Sequence, residues 1–110
     1  MTDETMAKLA QHDLVVGVKD ATADLGRPTR LLNFINEKFI QLSGEDGTAL
    51  PNLAAGGHGC ISVSANIAPK LLSRMHNAWQ QGDIKTAQEI NQKLMPVSYT
   101  HLTLPTTYHV

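Results

Sequence analysis

The sequence is short of everything that marks a disulfide scaffold, a nucleic-acid binder or a membrane protein. It has a single cysteine, Cys60, so no internal disulfide can form, and a thiol set in an apolar stretch reads as a buried group in a reducing compartment. One Trp, two Tyr and two Phe leave few rings on which bases could stack. Nine Lys and Arg against ten Asp and Glu give a net charge of −1 with no basic block, which argues against nucleic acid as a partner. Apolar runs such as residues 14–18 fall far short of the roughly 20 residues that span a bilayer. Residues 1–10 carry the charges of a helix rather than the apolar region of a signal peptide, so a cytoplasmic protein is expected. The five histidines show no metal-ligand spacing. Gly56-Gly57-His58-Gly59 lacks the Lys-Ser/Thr that completes a phosphate loop.

What is present is an alternation of short apolar runs with helical patterns. The runs are residues 14–18, 39–42 and 60–63, each bounded by Gly, Asp, Ser or Asn, as strands covered on both faces are. Between the first two, Asp24-Leu25-Gly26-Arg27-Pro28 starts a helix with Pro near its first turn, and Leu31, Leu32 and Ile35 give it one apolar face over about three turns. A loop at residues 43–47 leads into a short helix over 48–55, with Pro51 in its first turn and Gly56-Gly57 ending it in a left-handed conformation. From about Ala68, Leu71, Leu72, Met75 and Trp79 form a core-facing stripe. Gly82-Asp83 breaks that helix before a second one that runs to Leu94.

Right-handed crossovers turn this order into three parallel strands packed with helices. Such a sheet has two open edges and too few helices to cover both faces, so the pattern itself predicts that more chain or a partner completes it. The last residues change character. Residues 98–110 carry no charge and mix Thr, Leu, Pro and His without helical period. Their SYTHLTLPTT resembles translated sequencing adaptor at the ends of proteins read from assembled environmental DNA. The domain is therefore expected to occupy residues 1–97, with 98–110 a non-native or disordered tail.

Lys19 is the residue with the clearest chemical potential, because an apolar run delivers it to the C-terminal end of a parallel strand, where α/β proteins place their sites. An ordinary lysine amine, with a pKa near 10.4, is neutral in only about one molecule in two thousand at pH 7. Desolvation at a strand mouth raises that fraction and lets such an amine attack a ketone carbon to form an imine. On spacing alone, a solvated lysine at a strand end is the favoured reading of Lys19, and only the family resemblance reverses it. Glu45 and Asp46 form an acidic pair in a strand-end loop, expected to act structurally, with Asp46 capping the short helix and Glu45 facing solvent.

Three blocks resemble one family. VVGVKDATADL, residues 15–25, is similar to the lysine strand and following loop of the pyruvate-dependent aldolase superfamily, whose imine-forming lysine corresponds to Lys19. FIQLSGEDGTAL, residues 39–50, resembles the next strand and loop, and GGHGCISVSANIAP, residues 56–69, the last strand of the barrel. EINQKLMP, residues 89–96, is similar to the dihydrodipicolinate synthase family in particular. The resemblance covers nearly all of residues 1–97. It implies an α/β fold, a partial (β/α)₈ TIM barrel made of the last three parallel strands with their helices plus one C-terminal helix. A complete barrel takes roughly 250 residues.

The resemblance further implies a lyase that condenses pyruvate with aspartate semialdehyde through a lysine Schiff base, toward diaminopimelate and lysine, with no metal or organic cofactor. Lys19 would be the catalytic residue, and Gly44 and Ile61 match substrate-binding positions beside the imine. The parent enzyme is expected to be a homotetramer. The family's proton-relay threonine and tyrosines, and the arginine that receives the aldehyde's carboxylate, belong to earlier β/α units that have no counterpart here. The 110-residue chain alone is therefore expected to be inactive. Two other readings suit the same residues: an N-acetylneuraminate lyase or keto-deoxy sugar-acid aldolase that shares the imine, and a non-catalytic α/β binding domain whose Lys19 faces water.

Overall fold

The computed structural model describes residues 1–108, with side chains through Ser98. The expectations attached to the side chains of Tyr99, His101 and Tyr108, and to His109, lie outside the described residues. The chain divides into two compact units, Met1–Ile61 and Ser62–Val110.

The first unit is α/β. Helix α1, Asp3–Ala10, starts where the Thr2 side chain accepts the Thr5 amide, with Asp3 and Glu4 in the first turn and Lys8 in the last, as the helix dipole favours. Strands β1 (Gly17–Asp20), β2 (Ile40–Ser43) and β3 (Gly59–Cys60) form one sheet in the order β1-β2-β3, parallel throughout. Helix α2, Arg27–Leu31, links β1 to β2. A 3₁₀ turn, Asp46–Thr48, and helix α3, Ala49–Ala54, link β2 to β3.

Met6, Ala10, Leu31 and Phe39 are buried together, and Val15, Val18 and Ile35 pack against them. This core lies between α1, α2 and one face of the sheet. The other face is less covered: Ile40 is 42% exposed and Ile61 48% exposed. Two large aliphatic side chains left half in water on one sheet face are what the strand and helix count anticipated.

Several boundaries moved. The first strand was expected over residues 14–18, yet pairing begins at Gly17, and Leu14 is 84% exposed. The Val15 amide instead closes a turn onto the His12 carbonyl at 3.0 Å. The third strand pairs over only two residues. Helix α2 is one turn and a half rather than three, because the Asn33 and Phe34 amides bond back three residues, to Arg30 and Leu31, in a tightened ending. Gly56, at φ +114°, takes the left-handed position after α3, and Pro51 lies in the first turn of α3.

In the second unit a 3₁₀ turn, Ser64–Asn66, precedes helix α4, Pro69–Gln80, and helix α5, Ile84–Tyr108. Gly82, at φ +80°, ends α4, with the Asp83 amide bonded to the Ala78 carbonyl at 2.8 Å. Leu72, Met75 and Ala78 on α4 are buried, as are Ala87, Ile90 and Leu94 on α5. The α5 backbone continues past Leu94, where the sequence placed its end. The buried stripe Ala87, Ile90, Leu94, Ser98 keeps helical spacing through Pro96, and the Ser98 hydroxyl lies 3.2 Å from that of buried Ser64. Packing of that stripe offsets the hydrogen bond that proline cannot donate.

Candidate functional site

Strand register decides which side chains share a face. Gly17 pairs with Ile40, Lys19 with Leu42, and Leu42 with Gly59, so these residues and, two positions further on, Gly44 and Ile61 belong to the less covered face. Val18, Gln41, Ser43 and Cys60 belong to the helix side, where Gln41 and Ser43 are buried. Lys19 is the third residue of β1 rather than the residue after it, and its side chain is exposed.

Gly44 sits directly against Lys19. A Cβ on Gly44 would lie 2.6 Å from Lys19 Cε and 3.0 Å from Ala21 Cβ. Only the missing side chain lets the lysine stem pass across the end of β2. Gly44 is fixed there by its amide, which donates to the Asp20 carbonyl at 2.8 Å. Ile61 is held on the other side of β2 by its amide bond to the Ser43 carbonyl, also 2.8 Å. Lys19 and Ile61, with Gly17, Ile40 and Leu42, line an open apolar trough of about 280 Å³. Three residues far apart in sequence thus meet at the C-terminal ends of three adjacent parallel strands. The lysine stem crosses over Gly44, and apolar side chains flank it.

The acidic pair is arranged differently from expectation. Glu45, not Asp46, is the cap: its Oε1 accepts the Gly47 amide at 3.1 Å at the start of the 3₁₀ turn, where its extended backbone aims the carboxylate back over that turn. Neither acid is fully exposed. Asp46 Oδ1 lies 3.9 Å from Cys60 Sγ. Burial, followed by the Asp46 and Glu45 charges, pushes the Cys60 thiol up to about 11. That places it among inert structural thiols. Among the described residues no three His, Cys, Asp or Glu side chains converge as metal ligands do, and no helix is long and apolar enough to cross a membrane.

Sequence reasoning overlooked Arg27. At the first position of α2 it is only 6% exposed, with Nε 3.1 Å from Asp3 Oδ1 and Nη1 3.7 Å from Asp20 Oδ2. Its neighbour Arg30 pairs with Asp3 at 2.7 Å and Asp24 at 2.8 Å. The only hint in the sequence is the excess of aspartates around one Arg-Pro helix start.

A sequence profile of the dihydrodipicolinate synthetase family matches residues 1–110. The chain is 58% identical over 97 residues to the 4-hydroxy-tetrahydrodipicolinate synthase of Acidiphilium cryptum (strain JF-5), an alignment covering 88% of this chain and 33% of that protein. Its backbone is similar to the dihydrodipicolinate synthase of Bacillus anthracis, with a TM-score of 0.89 and 30% identity over 94% of this chain and 36% of that one. A TM-score of 0.85 and 34% identity relate it to the chloride-inhibited dihydrodipicolinate synthase of Acinetobacter baumannii complexed with pyruvate, over 93% of this chain and 35% of that one. The chain therefore spans about a third of the length of the relatives it matches. Profile, identity and backbone agree, and the chain belongs to the dihydrodipicolinate synthetase family.

Proposed function

We propose that this chain is the C-terminal part of a (β/α)₈-barrel 4-hydroxy-tetrahydrodipicolinate synthase, in which Lys19 forms the Schiff base with pyruvate. The observation that carries the reading is the convergence of Lys19, Gly44 and Ile61 at the C-terminal ends of three parallel strands, on the face that keeps Ile40 and Ile61 half exposed. In a closed barrel that face turns inward and is filled by side chains from the other strands. The missing strands also desolvate the amine.

The chemistry follows from an amine so placed. Lys19 Nζ attacks the keto carbon of pyruvate and water leaves, giving an imine whose protonated nitrogen draws electrons from the adjacent carbon. Loss of a methyl proton gives the enamine, whose carbon bonds to the aldehyde carbon of aspartate semialdehyde. The substrate's own amine then attacks the imine carbon, closes the ring and releases the lysine. Gly44 leaves the space through which the lysine stem reaches the imine, and Ile61 supplies an apolar wall. The proton relay and the site for the second substrate's carboxylate belong to units beyond this chain, so the chain alone carries out no condensation.

The test joins residues 1–97 to the preceding units of the Acidiphilium cryptum relative and treats the product with pyruvate and borohydride. Mass added at Lys19, lost in Lys19→Arg, is the expected result. Absence of label on a folded protein refutes the assignment, and condensation by the 110-residue chain alone refutes its inactivity.

A further inference from the structure

The residue after Lys19 ties together the surroundings of the amine. Lys19 and Asp20 are consecutive in β1 and share a peptide unit, so Asp20 points to the helix side of the sheet while Lys19 points to the opposite side. The Asp20 carbonyl accepts the Gly44 amide at 2.8 Å, which brings the glycine gap to the lysine stem. Asp20 Oδ1 accepts the Thr22 amide at 2.8 Å, and Oδ2 faces Arg27 Nη1 at 3.7 Å. The Asp20 side chain is 13% exposed and that of Arg27 7% exposed, so water screens this pair little. Arg27 is itself anchored from a third direction, with Nε 3.1 Å from Asp3 Oδ1 and the guanidinium donating to the Met1 carbonyl.

We propose that Arg27 is a positioning residue for Lys19: by fixing the Asp20 carboxylate it sets the peptide from which the amine projects and keeps Gly44 docked beside it. The proposal rests on the reading of Lys19 as the imine-forming amine. A planar, permanently charged group lying in ion-pair range of two carboxylates and donating to the Met1 carbonyl resists rotation better than a flexible ammonium. The strand end is therefore rigid before any substrate arrives, and rigidity at the reacting atom is where a displacement of about 1 Å is costly. A merely structural Arg27 would stabilise residues 1–61 as a whole. A positioning Arg27 acts on the two amides that Asp20 holds.

Amide-resolved hydrogen exchange on the full 110-residue chain separates these roles. Arg27→Met is expected to speed exchange of the Gly44 and Thr22 amides by about tenfold while the Ile61 amide, bonded to Ser43 on the other side of β2, keeps its rate. Arg27→Lys restores part of the protection, and Asp20→Asn, which keeps an acceptor for Thr22, exposes Gly44 alone. Unchanged Gly44 and Thr22 amides overturn the proposal, and so does uniform acceleration across residues 1–61. In the protein joined to its missing units, Arg27→Met also slows pyruvate trapping about tenfold, with Arg27→Lys intermediate, and an unaltered trapping rate overturns the proposal. If the unsubstituted joined protein traps no pyruvate, the imine assignment fails instead, and the exchange pattern alone then decides whether Arg27 holds the strand end.

Discussion

Lys19 Cε passes 2.6 Å from the point where a Cβ on Gly44 would stand, so the lysine stem occupies space that any other residue at position 44 would claim. Ala21 Cβ closes the third side at 3.0 Å. Gly44→Ala must therefore displace the stem rather than be absorbed nearby. Because Lys19 is exposed, the fold survives the change, and the cost falls on the amine. In residues 1–97 joined to the preceding units of the Acidiphilium cryptum relative, pyruvate trapping by Gly44→Ala is expected to fall by about a hundredfold with little change in the thermal midpoint. A fall of less than about threefold would mean that the stem swings aside freely.

Gly57 is constrained by space rather than by backbone angle. A Cβ there would lie 1.9 Å from Asn52 Oδ1 and 2.9 Å from the Asn52 carbonyl oxygen, and Asn52 is 7% exposed. Its amide already bonds that carbonyl at 2.9 Å. Gly57→Ala should destabilise the α3 to β3 connection by about 1–3 kcal/mol, the usual cost of overpacking, read from urea-induced unfolding. Gly47→Ala is the control, because its Cβ would meet only Glu45 Oε1 at an ordinary 3.4 Å. Equal stability of the two variants would show that Asn52 rotates away at no cost.

The class of the fold was legible because hydrophobic runs and helix punctuation alternate, which is a local property of the chain. Strand limits were less so, since pairing depends on a partner. Gly17 reads simply as part of the run 14–18, yet it is the residue that opens β1, where a Cβ would come within 2.5 Å of the Ile40 carbonyl oxygen and only glycine lets the strands approach. Lys19, Gly44 and Ile61 could be named from motif resemblance, but their convergence is a consequence of register. Arg27 was invisible for the same reason, its partners Asp3 and Asp20 arriving from 24 positions upstream and from the neighbouring strand end. Glu45 rather than Asp46 caps the 3₁₀ turn that leads into α3, because capping is decided by which backbone angle precedes the turn, and it is Glu45 that is extended, at φ −125° and ψ 111°.

Acid should act on the first unit through Arg30. Its hydrogen bonds to Asp3 and Asp24 hold both carboxyls below their ordinary value of 3.8. A carboxyl whose value is lower in the folded state than in the unfolded chain adds stability above the unfolded value and loses it as pH falls through the folded one. The loss should therefore begin near pH 4 and deepen below it, with no contribution to pH dependence above about pH 5. All three side chains are exposed to solvent to a substantial degree, so about 1 M salt should flatten the dependence. Arg30→Gln should show a shallower decline between about pH 4 and pH 2 than the unsubstituted chain. Parallel declines for the two proteins would remove Arg30 from the account.

The Cys60 thiol offers a readout of the strand end that needs no substrate. Burial and the neighbouring carboxylates of Asp46 and Glu45 raise it to about 11 from an ordinary 9.0, and only the thiolate alkylates. At pH 8 the reactive fraction is then about one in a thousand instead of about one in ten. Iodoacetamide should modify Cys60 about a hundredfold more slowly than it does an unhindered thiol, and the rate should still climb tenfold per pH unit at about pH 10. Asp46→Asn removes one of the two charges and leaves burial in place, so it should shift the whole profile toward lower pH without changing the limiting rate. A profile that levels off by about pH 9 would place Cys60 in an open, solvated setting, and would contradict the packing of β3 against the Asp46 turn.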